Sequence, residues 1–304
     1  MKFSMCRCVS SFSSMSRLLT PLLLLLLLST ASAQWTNDSV LAGGYRRTFH
    51  YERSAAIAQP KIVLFILHGS GGSGAEMRTH TAALESIAVR ESILLVYPDG
   101  YKHFWNECRK ASTAEANIID IDEQDFFRAM LRSLHAQFGT DTTVARAIGF
   151  SGGGHMAYKL ALTMPQIFTA VTAVVANLPD SANMDCTAAN LPVSVMIVNG
   201  TADNVNPYNG GEVKVQNVKL GTVRSTEQTF RYWSALAGYA GAPKKEILPN
   251  NDTTDNSSIE RFSFSAPGKK EIVLLSVLNG THSFPKDIDV FLEAWSFMKR
   301  QPLR

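Results

Sequence analysis

Apolar residues in this chain fall into short runs that end in glycine or in polar turn residues, and the stretches that follow carry apolar positions at helical spacing. That alternation predicts an α/β fold, a mostly parallel central sheet with helices on both faces. The runs predict strands over Lys61–Leu67, Ile93–Tyr97, Val144–Gly149, Val193–Val198 and Glu271–Val277. The helical stretches are Glu76–Arg90, Glu123–Phe138, Gly152–Thr163, Glu227–Gly238 and Ile288–Lys299. An earlier run, Tyr45–Tyr51, predicts an antiparallel edge strand. Ligands of such sheets bind beyond the carboxyl ends of the strands. Chemistry is therefore expected in four polar turns that follow strands: His68-Gly69-Ser70, Gly149-Phe150-Ser151-Gly152-Gly153, Asn199-Gly200-Thr201-Ala202-Asp203 and Asn279-Gly280-Thr281-His282.

The second of these turns fits G-x-S-x-G between a strand and a helix, the context that the nucleophile-elbow motif requires. Side chains two residues either side of the serine would crowd a strained turn, which accounts for the glycines. Taken alone, Ser151 reads equally well as a helix N-cap. A serine hydroxyl becomes a nucleophile only beside a base, and the base needs an orienting acid. Asp203 and His282 follow later strands in the chain order Ser, Asp, His of α/β-hydrolases. His155, one helical turn past Ser151, reads as lining its helix, and His50, His68, His80, His103 and His135 do not follow late strands.

The early turn, L-H-G-S-G-G-S-G, satisfies G-x-G-x-x-G at Gly69, Gly71 and Gly74. A dinucleotide turn would need an acidic partner about 20 residues on, which is not evident, and a phosphate loop would need lysine where Ala75 stands. The alternative is an oxyanion hole, with backbone N–H groups from Ser70 and Gly152 aimed at the charge that develops in acyl transfer.

Composition changes the compartment rather than the fold. Lys2, Arg7 and Arg17 precede an apolar stretch, Pro21–Leu28, and then Ser29-Thr30-Ala31-Ser32-Ala33, which reads as a secretory leader over residues 1–33 cut after Ala33. The stretch is shorter than the ~18 residues a membrane span needs. Without residues 1–33 the chain carries 26 Lys and Arg against 26 Asp and Glu, with no basic stripe for nucleic acid or anionic membrane. Cys108 and Cys186 are then the only cysteines, expected to form a disulfide in an oxidising compartment, with two buried thiols as the alternative. Residues 34–304 show no linker, repeat or shift in charge density and are expected to form a single domain. Asp120, Asp122, Glu123 and Asp125 read as helix-capping acids rather than calcium ligands, and no H-E-x-x-H or C-x-x-C is present, so no metal site is expected. Asn37, Asn199, Asn251, Asn256 and Asn279 begin N-x-S/T sequons.

The set L-H-G-S-G-G-S-G, Y-P-D-G with W-N at 105–106, G-F-S-G-G-G-H-M-A-Y, V-N-G-T-A-D-N-V-N-P-Y-N-G-G and G-T-H-S-F-P resembles the secreted esterase/polyhydroxybutyrate depolymerase family, which includes feruloyl and acetylxylan esterases. The resemblance implies an α/β-hydrolase fold and ester hydrolysis without a cofactor. It implies Ser151, Asp203 and His282 as nucleophile, acid and base, and substrates among hydroxyalkanoate oligomers or feruloyl and acetyl esters of plant polysaccharide. Trp105 and Asn106 resemble pocket residues of that family; Trp105 reads either as an aromatic that stacks on an acyl or sugar group or as simple loop packing. Two departures stand out: Ser70 where cysteine is frequent, and Phe284 where tryptophan is frequent, the second altering the wall beside His282. The rival readings are a secreted binding protein that keeps the fold without catalysis, and a redox protein built on the G-x-G-x-x-G turn.

Overall fold

The computed structural model describes residues 1–2, 33–54, 60–215 and 218–302, so the expected leader lies almost wholly outside the described residues. A hairpin of β1 (Ala33–Ala42) and β2 (Tyr45–Ser54) turns through Gly43 and Gly44, both at positive φ, where a tight turn between antiparallel strands favours glycine. Strand β3 (Ile62–Leu67) is followed by α1 (Gly74–Arg78), α2 (Ala82–Glu91) and β4 (Ile93–Pro98). A short α3 (Glu115–Ile118) leads to α4 (Glu123–Phe138), β5 (Ala145–Phe150), α5 (Gly152–Thr163), β6 (Phe168–Val174) and β7 (Ser194–Gly200). A separate hairpin, β8 (Gly211–Val215) with β9 (Val218–Val223), precedes α6 (Thr226–Leu236). The remaining elements are β10 (Lys244–Ile247), β11 (Ser258–Phe264), β12 (Ile272–Leu278) and α7 (Val290–Lys299).

The large sheet runs β1-β2-β4-β3-β5-β6-β7-β12-β11-β10. Its six central strands, β4 to β12 in that order, are parallel, and antiparallel strands flank them on both sides. Alternate residues of β3 enter opposite cores, as the pleat dictates. Val63, Phe65 and Leu67 pack with Phe127, Met156 and Trp233 of α4, α5 and α6. Leu64 and Ile66 pack with Leu84 of α2 and with Phe291 and Phe297 of α7 on the other face. With both faces covered, β3, β4 and β7 are buried along their whole length, which is why they read as unbroken apolar runs. Each fully buried Leu or Phe contributes about 1.5–3 kcal/mol.

Three expectations need correction. Tyr45–Tyr51 is antiparallel but not at the edge: β1 takes the edge, and β2 bridges it to β4. Its partner was missed because Q-W-T-N-D-S-V-L-A has only a faint alternation. The helix expected over Glu76–Arg90 is two helices, broken around Thr79–Thr81. Thr79 Oγ1 donates to Glu76 O, while Thr81 Oγ1 donates to Arg78 O and meets the Tyr97 hydroxyl at 2.8 Å, local bonds that compete with helix continuation. Strand β6 was not expected; F-T-A-V-T-A-V is nonetheless a buried strand between β5 and β7.

Cys108 and Cys186 form a disulfide that ties the loop after β4 to the segment between β6 and β7. Asp122 is the N-cap of α4, its carboxylate accepting from Asp125 N. Glu123 differs from the expected capping role: it is buried, pairs with Arg47 at 3.1 Å and accepts from Asn106 N. Among the described residues no helix is long and apolar enough to cross a membrane.

Candidate active site

The turn after β5 is a sharp elbow. Ser151 sits at φ 52 and ψ −116, a conformation that costs a residue with a Cβ about 1–3 kcal/mol unless its surroundings enforce it. They do so through close backbone approach. A Cβ on Gly149 would overlap the carbonyl of Gly153, and a Cβ on Gly153 would overlap the carbonyl of Leu67 at the end of β3. Ser151 N donates to Val174 O, which pins the elbow to β6.

The serine meets two groups delivered by distant strands. His282 Nε2 lies 2.9 Å from Ser151 Oγ, and His282 Nδ1 lies 2.7 Å from Asp203 Oδ2. The other carboxylate oxygen of Asp203 accepts from the N–H groups of Val205 and Asn206, both at 2.8 Å, so the acid is held in one orientation. The loops bearing Asp203 and His282 are laced together: Ala202 N donates to Gly280 O, and Asn279 N donates to Thr201 Oγ1. Asp203 is buried to 1% side-chain exposure and His282 to 17%, which leaves the imidazole beside Ser151 reachable from solvent.

The early glycine turn lies against the elbow. A Cβ on Gly152 would stand 2.9 Å from Ser70 N, so the two residues expected to supply the oxyanion hole lie against each other. A cleft of about 370 Å³ opens there, lined by Ser70, Met77, His80, Phe150, His282 and Phe284. Phe150 and Phe284 meet as a tilted pair with centroids 4.5 Å apart, and His80 lies 5.0 Å from Phe284. Phe284 thus takes the expected place beside His282. A larger cavity, about 610 Å³, lies between α6 and the β11–β12 edge, but His282 does not line it. The smaller cleft is the one with His282 and Ser70 in its wall.

Trp105 is a correction. It is 1% exposed, its indole Nε1 donates to His68 O at 2.9 Å, and its ring lies against His68 and Phe127, so it cannot stack on a substrate. Asn106 is buried as well, donating to Asp120 Oδ1 and Ile121 O. Burial lowers the pKa of His68. It also drives His155, on α5, well below the usual histidine range, with the positive charge of Arg109 adding to the effect. Phe150, Met77 and His80 were not singled out from sequence. Phe150 was legible as the variable position of the elbow, at the last residue of β5.

A serine at a strained strand-to-helix elbow, with an acid and a histidine on the loops of later parallel strands, defines the α/β-hydrolase class. Within it, a family model described as "Putative esterase" matches residues 50–217, and the chain belongs to that family of carboxylic-ester hydrolases. "Putative esterase NocK" of Nocardia uniformis subsp. tsuyamanensis is 26% identical over 265 residues, 84% of this chain and 75% of that protein. "Probable feruloyl esterase C" of Aspergillus niger is 27% identical over 157 residues, 50% of this chain, and the match spans about half (52%) of that protein. An acetyl xylan esterase from Aspergillus awamori superposes with a TM-score of 0.55 at 15% identity, covering 86% of this chain and 99% of that one. That likeness shows the fold.

Proposed function

We propose that the chain is a secreted serine esterase working through an acyl-enzyme, with residues 1–33 as an export leader and 34–304 as a single catalytic domain. His282 takes the proton of Ser151 as Oγ bonds to the ester carbonyl carbon, and Asp203 holds the imidazole in the required tautomer. The amides of Ser70 and Gly152 receive the oxyanion. The alcohol departs with the proton from His282 Nε2. Water, deprotonated by the same nitrogen, then attacks the acyl-enzyme, and the acid leaves as Ser151 regains its proton. The observation that carries this reading is the unbroken series Ser151 Oγ, His282 and Asp203 at 2.9 and 2.7 Å beside an open cleft. A binding protein needs no such series.

The substrate class is a feruloyl or other small acyl ester of plant polysaccharide. Support comes from the aromatic wall of Phe150 and Phe284 in the cleft and from curated relatives named feruloyl esterases. Hydrolysis of p-nitrophenyl acetate and butyrate, with fluorophosphonate labelling, is expected from the wild type and is lost by several orders of magnitude in Ser151→Ala. Failure of the folded wild type to label would return the chain to the binding-protein reading. Methyl ferulate is expected to be cleaved in preference to a 3-hydroxybutyrate dimer; the reverse order would move the substrate to hydroxyalkanoate oligomers.

A further inference from the structure

The loop that carries Ser70 is glycine-rich, and a donor that drifts by an ångström loses its use to the oxyanion. Its anchors come from the segment that follows β4. Trp105 Nε1 donates to His68 O, Gly100 N donates to His68 Nε2 at 2.8 Å, and Gly71 N donates to His103 O at 2.8 Å. At the far end of the loop, Gly74 N donates to Asp99 Oδ1 at 2.8 Å. A Cβ at Gly74 would overlap the Tyr97 carbonyl and stand 3.1 Å from His50 Cδ2, so the loop is seated directly on β4 and β2.

The second oxygen of Asp99 is held from the N-terminal hairpin. Thr48 Oγ1 donates to Asp99 Oδ2 at 2.7 Å, and His50 Nε2 lies 3.0 Å from the same atom. His50 is itself fixed on two sides: Nδ1 lies 2.7 Å from Asn37 Oδ1, and Trp35 stacks on the ring at 5.1 Å. Thr48, Asn37 and Trp35 precede the segment that matches the family, which begins at residue 50. Burial would raise the Asp99 carboxyl, but the hydrogen bonds from His50, Gly74 and Thr48 outweigh it and hold the group at about 2. Asp99 is therefore an anion with one oxygen on the oxyanion loop and the other on the hairpin.

We propose that Asp99 and His50 are positioning residues of the oxyanion hole, through which the β1–β2 hairpin sets the place of the Ser70 amide. The inference rests on the serine-esterase reading above. It predicts that the hairpin contributes to the rate without touching substrate.

The test uses Asp99→Asn, Asp99→Ala and His50→Gln in the full chain, assayed well below each variant's Tm. Loss of a whole oxyanion donor costs about 10²–10³ in kcat. A donor left in place but loosened is expected to cost about 10-fold in Asp99→Asn and His50→Gln, and about 100-fold in Asp99→Ala. KM for p-nitrophenyl butyrate is expected to stay within about threefold, because ground-state binding does not use the hole. The affinity for a trifluoromethyl ketone, whose hemiketal oxygen occupies the oxyanion position, is expected to fall by the same factor as kcat/KM. His50→Gln leaves the carboxylate, Thr48 and Gly74 in place and reads the same effect if Asp99→Ala does not fold. Folded variants with wild-type kcat and ketone affinity, or with both KM and kcat altered but ketone affinity unchanged, would overturn the proposal. A wild type that neither labels with fluorophosphonate nor hydrolyses the ester would instead sink the underlying esterase reading.

Discussion

Gly152→Ala separates the oxyanion hole from the stability of the fold. The added Cβ would stand 2.9 Å from Ser70 N and closer still to Ser70 Oγ. The hydroxyl can rotate away, but the backbone nitrogen can reach an ordinary contact of about 3.5 Å only if one of the two loops retreats by roughly 0.6 Å. A retreat of that size stretches an N–H···O bond from about 2.9 Å to about 3.5 Å, outside useful geometry. The expected result is a loss of about 10² in kcat/KM for p-nitrophenyl butyrate, or roughly 3 kcal/mol of transition-state stabilisation. Stability moves little: alanine is a better helix former than glycine by about 1 kcal/mol, which offsets the steric strain, so Tm is expected within about 4 °C of wild type. Ser70→Ala is the matched control, since it keeps the amide and should retain activity within about threefold. Steady-state kinetics and a thermal melt on the same preparations decide the matter. Wild-type turnover in Gly152→Ala would mean that the neighbouring amides of Ser70 and Gly152 are not the oxyanion hole.

The remaining predictions concern stability. The disulfide closes a loop of sequence separation 78 that contains the elbow, and replacing both cysteines with alanine is expected to cost about 4.5 kcal/mol of loop entropy in urea unfolding; a loss below about 1 kcal/mol would show that the reduced unfolded chain is already restrained. Arg47→Met strands the buried Glu123 carboxylate and should cost about 3–5 kcal/mol by the same measurement. His155 and His68 have folded pKa values lowered by burial, so each stays neutral while the unfolded chain takes up protons near 6.5. The stability they confer is complete above about pH 6.5 and is lost as pH falls below it. Asp99 adds a second loss between about pH 4 and its folded value of about 2. Tm recorded from pH 8 to pH 3 should fall in these two stages, and a flat profile between pH 7 and pH 5 would contradict the burial argument.

Much of the site is legible in sequence because each piece is a local turn with a local requirement. Ser151 needs glycines at 149 and 153 for backbone approach, and Asp203 and His282 stand just past apolar runs, where the sheet ends. Parallel strands buried on both faces announce themselves as apolar runs, so β3, β4, β5, β7 and β12 fall within a residue or two of expectation. Asp99 was not singled out, because its carboxylate finds its partners in a hairpin about fifty residues earlier.

What the sequence determined by itself is therefore the inventory: the elbow, the chain order of Ser151, Asp203 and His282 in turns after strands, the cysteine pair, and the alternation of strand and helix. The tertiary structure alone decided which distant turns meet. β12 pairs with β7, and β5 lies two strands from β7, so His282 reaches Ser151 across 131 residues of chain. It also decided that Trp105 faces the core rather than the cleft, that threonines divide α1 from α2, and that β1 rather than β2 caps the sheet. The physical reason is the range of the forces involved. Backbone strain and hydrophobic period act within a few residues and leave their mark on neighbouring letters, whereas strand order and the direction a ring points are set by packing among segments far apart in sequence.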